Sequence, residues 1–434
     1  MLRQKGFKLE IKNFEDALSY IGSLKGIHKG LDHVGELLRT LNSPEEGLKV
    51  ISVVGTNGKG STALFIAEIL KASGLKVGLF SSPKVFSETE IIKVNSRNIS
   101  KKDYTRLAKT ISEVNTVKAT SFECETVMAL MYFKERGCDI AVLEAGMGGL
   151  LDATNVVKSN LLSVFTPIGL DHTEYLGSTI REITDNKTGV IKPNSIAVTT
   201  LQEPEAMEVI KSKASSLNSD CIVSDYKTAQ KIKYKLNSTK FDYEGEKSLE
   251  ISLNGVNQVQ NACLAIDAVK SLKKYGIEVN EKAIRKGLLS AREEGRFEII
   301  SNKPVIVLDG AHNPPAAGVL RENLNTYFTD RKFIYIMGMF KDKDTGTVID
   351  TLCDLPEAVF TVTLPNRERS LTAYELAEQV SLVNRAVSTA DSVREALEMA
   401  LQFADHDTVI VGLGSLSHLK LIKDAYESIT GRRR

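Results

Sequence analysis

The sequence predicts an α/β chain, with a larger N-terminal domain on a mostly parallel sheet covered by helices on both faces and a smaller α/β domain after it. Three observations predict this. First, short apolar, β-branched runs alternate with amphipathic helical stretches, and each run ends in a loop. The runs are KVISVV at 49–54, KVGLF at 76–80, DIAVLEAG at 139–146, LLSVFT at 161–166 and SIAVTT at 195–200. Second, strand, helix, strand in this order calls for parallel pairing with both sheet faces buried. Third, the alternation breaks once and then restarts.

The break runs from about residue 225 to 254, where KIKYKLNSTKFDYEGEKSLEISLNG, at 231–255, alternates polar and apolar residues between turn signals. That pattern suggests antiparallel hairpin strands at a sheet edge. A helix, NQVQNACLAIDAVKSL, follows. After EEGRFEII at 293–300 the α/β rhythm resumes in PVIVLDG, FIYIMG, AVFTVTL and TVIVGLG. A boundary is expected near residue 297, giving domains over 1–297 and 298–434. The second reads as a smaller, Rossmann-like open sheet. A chain of 434 residues is too long for one ordinary core and suits two.

Composition narrows the function classes. Hydrophobic residues at 42% and charged residues at 26% fit a globular protein with buried cores. A net charge of +1 leaves no electrostatic footprint for nucleic acid or a membrane surface, and the terminal GRRR reads as a solvated tail. The five cysteines, Cys124, Cys138, Cys221, Cys263 and Cys353, have neither metal-ligand spacing nor a disulfide framework. The opening MLRQKGFKLEIKNFED lacks the apolar core of a leader, and no apolar run is long enough to cross a bilayer. These features predict a reduced, cytoplasmic protein whose partners are small molecules.

The chemistry starts at VVGTNGKGST, residues 53–62. The common phosphate loop, G-x-x-x-x-G-K-[ST], would need Gly at 53, which is Val, and Gly60 intervenes before Ser61. The physical requirements are still met. Gly55, Gly58 and Gly60 let the backbone turn tightly and aim N–H groups at phosphate oxygens. Lys59 brings a positive charge, Ser61 or Thr62 can reach Mg²⁺, and the helix STALFIAEILKASG presents its anion-favouring N-terminus. A plain glycine turn is the bland alternative, and a lysine between glycines after a buried strand weighs against it. Glu144 ends the buried strand of DIAVLEAG, where a divalent cation facing a phosphate loop needs a hard oxygen ligand.

The loop resembles the G-T-N-G-K-G-S loop of the folylpolyglutamate synthase and dihydrofolate synthase branch of the Mur ligase superfamily. Further stretches resemble the same family in the same order, from about residue 28 to 420: SFECETVMAL, EAGMGGLLDATN, LDHTEYLG, NKTGV, NGVNQVQNACLA, EEGRFEII, VLDGAHNPPAA and IMGMFKDKD.

The resemblance implies a P-loop-type ATP-binding domain followed by a Rossmann-like glutamate-ligase domain. It places Asn57, Gly58, Lys59, Gly60, Ser61, Asn261, Arg296 and Asp309 at ATP, and Ser61, Ser82, Glu144 and His172 at two Mg²⁺ ions. Lys59, Lys187, His172 and His312 become the catalytic set. Lys187 matches a lysine that carries a carbamate, and that chemistry needs a neutral amine and so a depressed basicity. Leu31, Asp32, Phe122, Glu123, Asp152, Ala153 and Thr154 fall in the family's organic-substrate pocket, together with the segment KGLDHV at 29–34. From chemistry alone His172 would be a satisfied core or loop histidine and Lys187 an exposed helix lysine.

The implied activity is an amide ligation. The carboxylate of dihydropteroate or a folate takes the γ-phosphoryl group of ATP, and the amine of L-glutamate then displaces phosphate from the acyl phosphate. The resemblance leans toward a monomer that closes its two domains to exclude water. The sequence departs from the family near the organic substrate. Lys84-Val85 stand where His-Leu is usual, Ile91 where Arg is usual, Asn257 for His, Asn186 for Glu, and Glu293-Glu294 for Trp-Pro. A same-fold ligase acting on another carboxylate therefore stays open, as does an inactive nucleotide-binding relative.

Overall fold

The computed structural model describes residues 10–28 and 30–431. The first nine residues, Lys29 and the three arginines of the terminal GRRR, on which parts of the sequence reading fall, lie outside the described residues. The chain divides into two compact units, Met1–Thr228 with Asn261–Ser290, and Ala229–Gln260 with Ala291–Arg434.

The first unit holds an eight-stranded sheet: β1 (Val50–Val54), β2 (Val77–Phe80), β3 (Ile92–Val94), β4 (Arg97–Asn98), β5 (Ile140–Glu144), β6 (Leu162–Phe165), β7 (Ile196–Thr200) and β8 (Asp220–Ser224). Their order is β4-β3-β2-β5-β1-β6-β7-β8. All neighbours pair in parallel except β3, antiparallel to β2, and β4, antiparallel to β3. Every residue of β1, β2, β5 and β6 is buried, because helices cover both faces. The helix Lys59–Ala72 is buried from Ser61 through Leu70, and the helix Glu281–Ser290 packs along it. Phe65, Phe80, Phe133 and Phe165 are fully buried. Each such side chain contributes about 1.5–3 kcal/mol of burial free energy.

The sheet order fixes where a ligand can sit. The connection from β1 leads to β2 on one side and the connection from β6 leads to β7 on the other, although β1 and β6 are neighbours. At such a reversal the loops beyond the strand ends part and leave a crevice. The glycine loop follows β1, and the stretch to His172 follows β6.

The second unit carries β12 (Glu298–Asn302), β13 (Val305–Leu308), β14 (Lys332–Met337), β15 (Ala358–Thr361), β16 (Val387–Thr389) and β17 (Thr408–Leu413) in the order β12-β13-β17-β14-β15-β16. Only β12 runs antiparallel, paired with β13. A separate antiparallel sheet is formed by β9 (Gln230–Lys233), β10 (Thr239–Tyr243) and β11 (Glu246–Ile251).

Two expectations change here. The 231–255 segment is no edge of the large sheet: it makes its own sheet and groups with the second unit. The reason is local. The Tyr327 hydroxyl lies 3.1 Å from the Thr239 hydroxyl and accepts the Gly255 N–H, and Asn323 accepts the Val256 N–H, so the helix Pro314–Tyr327 holds this segment. The division near 297 falls instead at Ser290/Ala291, and β12 precedes PVIVL as the first strand of the larger sheet in this unit. Phe297 is 1% exposed and packs against Tyr327 and Phe328, so the neighbourhood of the expected boundary is core.

Candidate active site

The glycine loop is stitched to the crevice wall through its backbone. The Thr56 N–H donates to the Pro167 carbonyl at 2.8 Å. The Thr56 hydroxyl donates to the Gly169 carbonyl and accepts the Gly169 N–H. Gly55 has φ +151, and a Cβ there would stand 1.9 Å from Thr166 Oγ1. Gly58 has φ +82, and its Cβ would stand 2.5 Å from Asn261 Oδ1. Asn261, 2% exposed on the helix Asn257–Ser271, therefore touches the loop where the resemblance puts an ATP contact. Lys59 Nζ donates to the carbonyls of Gly55 and Thr56 at 3.2 and 3.0 Å. The open turn, the lysine folded over it and the helix that begins at Lys59 fit a polyphosphate.

Lys187 is buried, 4% exposed, and not the surface lysine that its helix alone would suggest. Its Nζ donates to the Gly55 carbonyl at 2.9 Å, so two ammonium groups converge on one oxygen. Burial, with the charge of Lys59 adding to it, lowers its pKa from the usual 10.5 to about 7. An amine neutral near physiological pH is what carbamate formation requires. Glu144 is 4% exposed at the end of β5, and one carboxylate oxygen accepts the Ser82 N–H at 3.2 Å. Ser61, 5% exposed, opens the loop's helix. Glu144, Ser61 and Ser82 make the hard-oxygen donor set that Mg²⁺ prefers, so these residues fit the ion. His172 sits at φ +51 before the short helix Thr173–Leu176, exposed, with Asp171 accepting its backbone N–H.

A cavity of about 560 Å³ opens in the same unit. Of the expected substrate residues, Phe122, Glu123, Asp152 and Ala153 line it, as does Ser82. Leu31 packs on the core beneath, Asp32 is exposed at the start of the helix Asp32–Thr40, and Thr154 is turned onto the Asp152 carboxylate at 2.6 Å. The capping box of the helix Ser121–Glu135 sets the wall. The Glu123 carboxylate accepts the Thr120 N–H and hydroxyl, which fixes Phe122 and Glu123 at the rim. The same oxygen lies 2.7 Å from His28 Nδ1, and His33 Nδ1 lies 2.6 Å from His28 Nδ1. These three groups offer ligand atoms within 4.8 Å of one another. The Glu123 oxygen that faces His28 already accepts the Thr120 N–H and hydroxyl, so the trio reads as a hydrogen-bonded rim.

Sequence reasoning missed His28, Asn186 and Glu125 as lining residues. Asn186, seen only as a departure from an acid, accepts the Gly149 N–H at 3.1 Å. Glu125 follows Glu123 by two on a helix start whose acids are readily explained by capping, and that explanation hid it. Burial pushes its carboxyl upward against the pull of Lys84.

In the second unit the LDGAHN stretch ends β13. Asp309 accepts the N–H groups of Phe297 and Ala311 at 3.0 and 2.8 Å. Burial lifts its pKa to about 6, opposed by the nearby Arg296 charge. Arg296 is 40% exposed and lies 3.9 Å from Glu293. His312 Nδ1 donates to the Gly310 carbonyl at 2.8 Å, which fixes its tautomer, and Asn313 caps the helix Pro314–Tyr327.

A phosphate loop and buried carboxylate at a sheet reversal, beside an organic-sized cavity and followed by a second open sheet, fit an enzyme that brings the phosphates of a nucleotide to an organic substrate. The comparisons agree. Residues 53–269 match the Mur ligase middle domain, and residues 295–416 match the Mur ligase glutamate ligase domain. A dihydrofolate synthase/folylpolyglutamate synthase of Bacillus subtilis is 34% identical over 368 residues, covering 80% of this chain and 84% of that protein. The Mycobacterium tuberculosis folylpolyglutamate synthase complexed with ADP superposes with a TM-score of 0.88 at 26% identity, covering 97% of this chain and 98% of that one. Escherichia coli FolC in complex with DHPP and ADP superposes with a TM-score of 0.84 at 30% identity, covering 98% and 99%. The chain belongs to the folylpolyglutamate synthase/dihydrofolate synthase family of Mur ligases, ATP-dependent glutamate ligases that form a carbon–nitrogen bond.

Proposed function

We propose that this chain joins L-glutamate to the carboxylate of dihydropteroate, a reduced folate or both, with release of ADP and phosphate. The observation that carries it is the continuity of cavity and phosphate site. The cavity lining includes Ser82, Gly146 and Asn186; Ser82 donates to Glu144, and Asn186 adjoins Lys187. A carboxylate at the cavity's inner end thus meets the crevice where the γ-phosphate of ATP would lie.

Lys59 and the loop N–H groups neutralise charge on the transferring phosphoryl group, and the chain supplies no covalent nucleophile because the substrate carboxylate is one. Ser61, Glu144, Ser82 and His172 hold Mg²⁺, two ions in all, which when bound supply charge neutralisation and orientation at the phosphates. The neutral Lys187 amine would add CO₂ and release one proton, and the resulting carbamate would be an anionic oxygen donor. Asn57, Gly58, Gly60, Asn261, Arg296 and Asp309 bind the nucleotide, and His312 the incoming amino acid. Leu31, Asp32 and Thr154 support the pteroate pocket from behind its lining. The enzyme works in the cytoplasm as a monomer.

The test is ADP release by purified protein with Mg-ATP and L-glutamate, with dihydropteroate in one reaction and tetrahydrofolate in another. Release in the first establishes the dihydrofolate-forming step, and release in the second the chain-extending step. Silence in both, with nucleotide still bound, overturns the folate assignment in favour of another carboxylate.

A further inference from the structure

Two departures from the family pattern, Lys84 and Ile91, both line the cavity, and Glu125 lines it with them. Lys84 Nζ lies 2.7 Å from Glu125 Oε1 and 3.1 Å from Glu88 Oε2. The Tyr104 hydroxyl donates to the same Glu125 Oε1 at 3.1 Å. Glu125 is 6% exposed, and Ile91, where the family carries a charge, is 2% exposed and apolar.

The groups are incompletely used. An ammonium has three donors, and Glu125 and Glu88 account for two. Among the described residues, the contacts to Glu125 fall on Oε1, which leaves Oε2 to accept from a ligand. The rest of this wall is apolar: Phe80, Ile91, Phe122 and Ala153. At this wall the cavity therefore offers one hydrogen-bond donor beside one acceptor, set among apolar side chains. A cyclic amide edge matches that pair, with its carbonyl beside its N–H.

We propose that Lys84 and Glu125 read the lactam edge of the substrate's bicyclic head, Lys84 donating to the ring carbonyl and Glu125 accepting the adjacent ring N–H. This rests on the pteroate reading of the cavity and adds a specificity to it. A 4-oxo pteridine presents carbonyl and N–H in that order. A 4-amino pteridine reverses it, setting an amino group against the ammonium and a bare ring nitrogen against the carboxylate. The pair selects the 4-oxo ring and rejects the 4-amino ring.

The experiment compares dihydropteroate with its 4-amino-4-deoxy counterpart as substrates for the wild type, for Lys84→Leu/Glu125→Val and for Glu125→Gln. The wild type is expected to prefer the 4-oxo compound by about 10²-fold in kcat/KM, because a site built to pair a polar edge strongly rejects the mismatched analogue. The paired variant, in which both charges are removed together so that neither is left unpaired, is expected to lose the preference to within about threefold through the carboxylate KM, with the ATP KM unmoved. Glu125→Gln keeps an acceptor oxygen and is expected to retain about a tenth of the preference. A wild type that treats both rings alike overturns the proposal, and so does a paired variant with undiminished preference. If the paired variant does not fold, Glu125→Gln decides, since an unchanged preference there also overturns it. Absence of turnover with either ring in the wild type removes the pteroate reading itself, a different result from turnover without discrimination.

Discussion

The loop after β1 and the cavity wall around Lys84 belong to one unit and are made of different materials. The loop is backbone. Its carbonyls and N–H groups form the contacts to Pro167, Lys59 and Lys187, and its glycines stand where a Cβ would strike Thr166 or Asn261. The wall is side chains: a half-buried Lys84 paired with a buried Glu125, an apolar Ile91 and the ring of Phe122. Backbone recognition suits a phosphate, which is the same in every nucleotide. Side-chain recognition suits the part of a reaction that differs between relatives. The chain should thus tolerate almost no change in the first region and change its selectivity through the second.

The comparison breaks first at Lys59. Lys59→Met is expected to lower kcat by about 10²–10³-fold, because one charge aimed at the transferring group is lost, with the carboxylate KM little changed. Steady-state ADP release measures it, and a loss confined to the carboxylate KM would move Lys59 to the other region. Gly55→Ala comes next. Its new methyl would meet Thr166 Oγ1 at 1.9 Å and the Thr166 carbonyl at 2.9 Å, in a backbone conformation alanine avoids. Unfolding free energy is expected to fall by about 2–3 kcal/mol in urea titrations. Adding Thr166→Ala should restore only part, since the carbonyl remains.

Lys187 gives a smaller, pH-dependent effect. Its pKa is lowered in the folded state, so the unfolded chain binds more protons between about pH 7 and 10.5. With carbonate excluded, stability should rise with pH across that window, and Lys187→Met should remove most of the slope. The same lysine should yield a carbamate carbon resonance in ¹³C-bicarbonate above about pH 7, absent in the variant. The smallest effect belongs to the wall's support. Glu90 accepts the N–H groups of Val85 and Phe86. Glu90→Ala should cost about 1 kcal/mol and raise the carboxylate KM a fewfold with the ATP KM unchanged. A shift in the ATP KM would show that the two regions are coupled.

These materials also explain what was legible in the sequence. A backbone site needs glycines at fixed offsets after a buried strand, so VVGTNGKGST announced itself even without the usual first glycine. The parallel strands were legible because burial on both faces makes them unbroken apolar runs. The short edge strands β3 and β4 and the half-covered β8 carry no such run and gave no signal. Asn186, Glu125 and His28 were not legible because their roles depend on partners 37, 41 and 95 residues away. Local sequence offered each a simpler explanation. Lys187 was legible only through resemblance, since nothing in NKTGV says that the helix turns its lysine inward under the glycine loop.

The path of the chain has a consequence for taking the molecule apart. It passes between the two units at Thr228/Ala229, Gln260/Asn261 and Ser290/Ala291, the second crossing lying within the helix Asn257–Ser271. A fragment stopped at 297 would keep Phe241, Tyr243, Leu249 and Ile251, all buried, without the helix Pro314–Tyr327 that holds their sheet. Such a fragment would carry its own aggregation surface. Modularity here follows contacts and not chain order. By these contacts a freestanding first unit calls for excising 229–260, bridging the gap and ending the chain at 290, and early termination alone will not yield one.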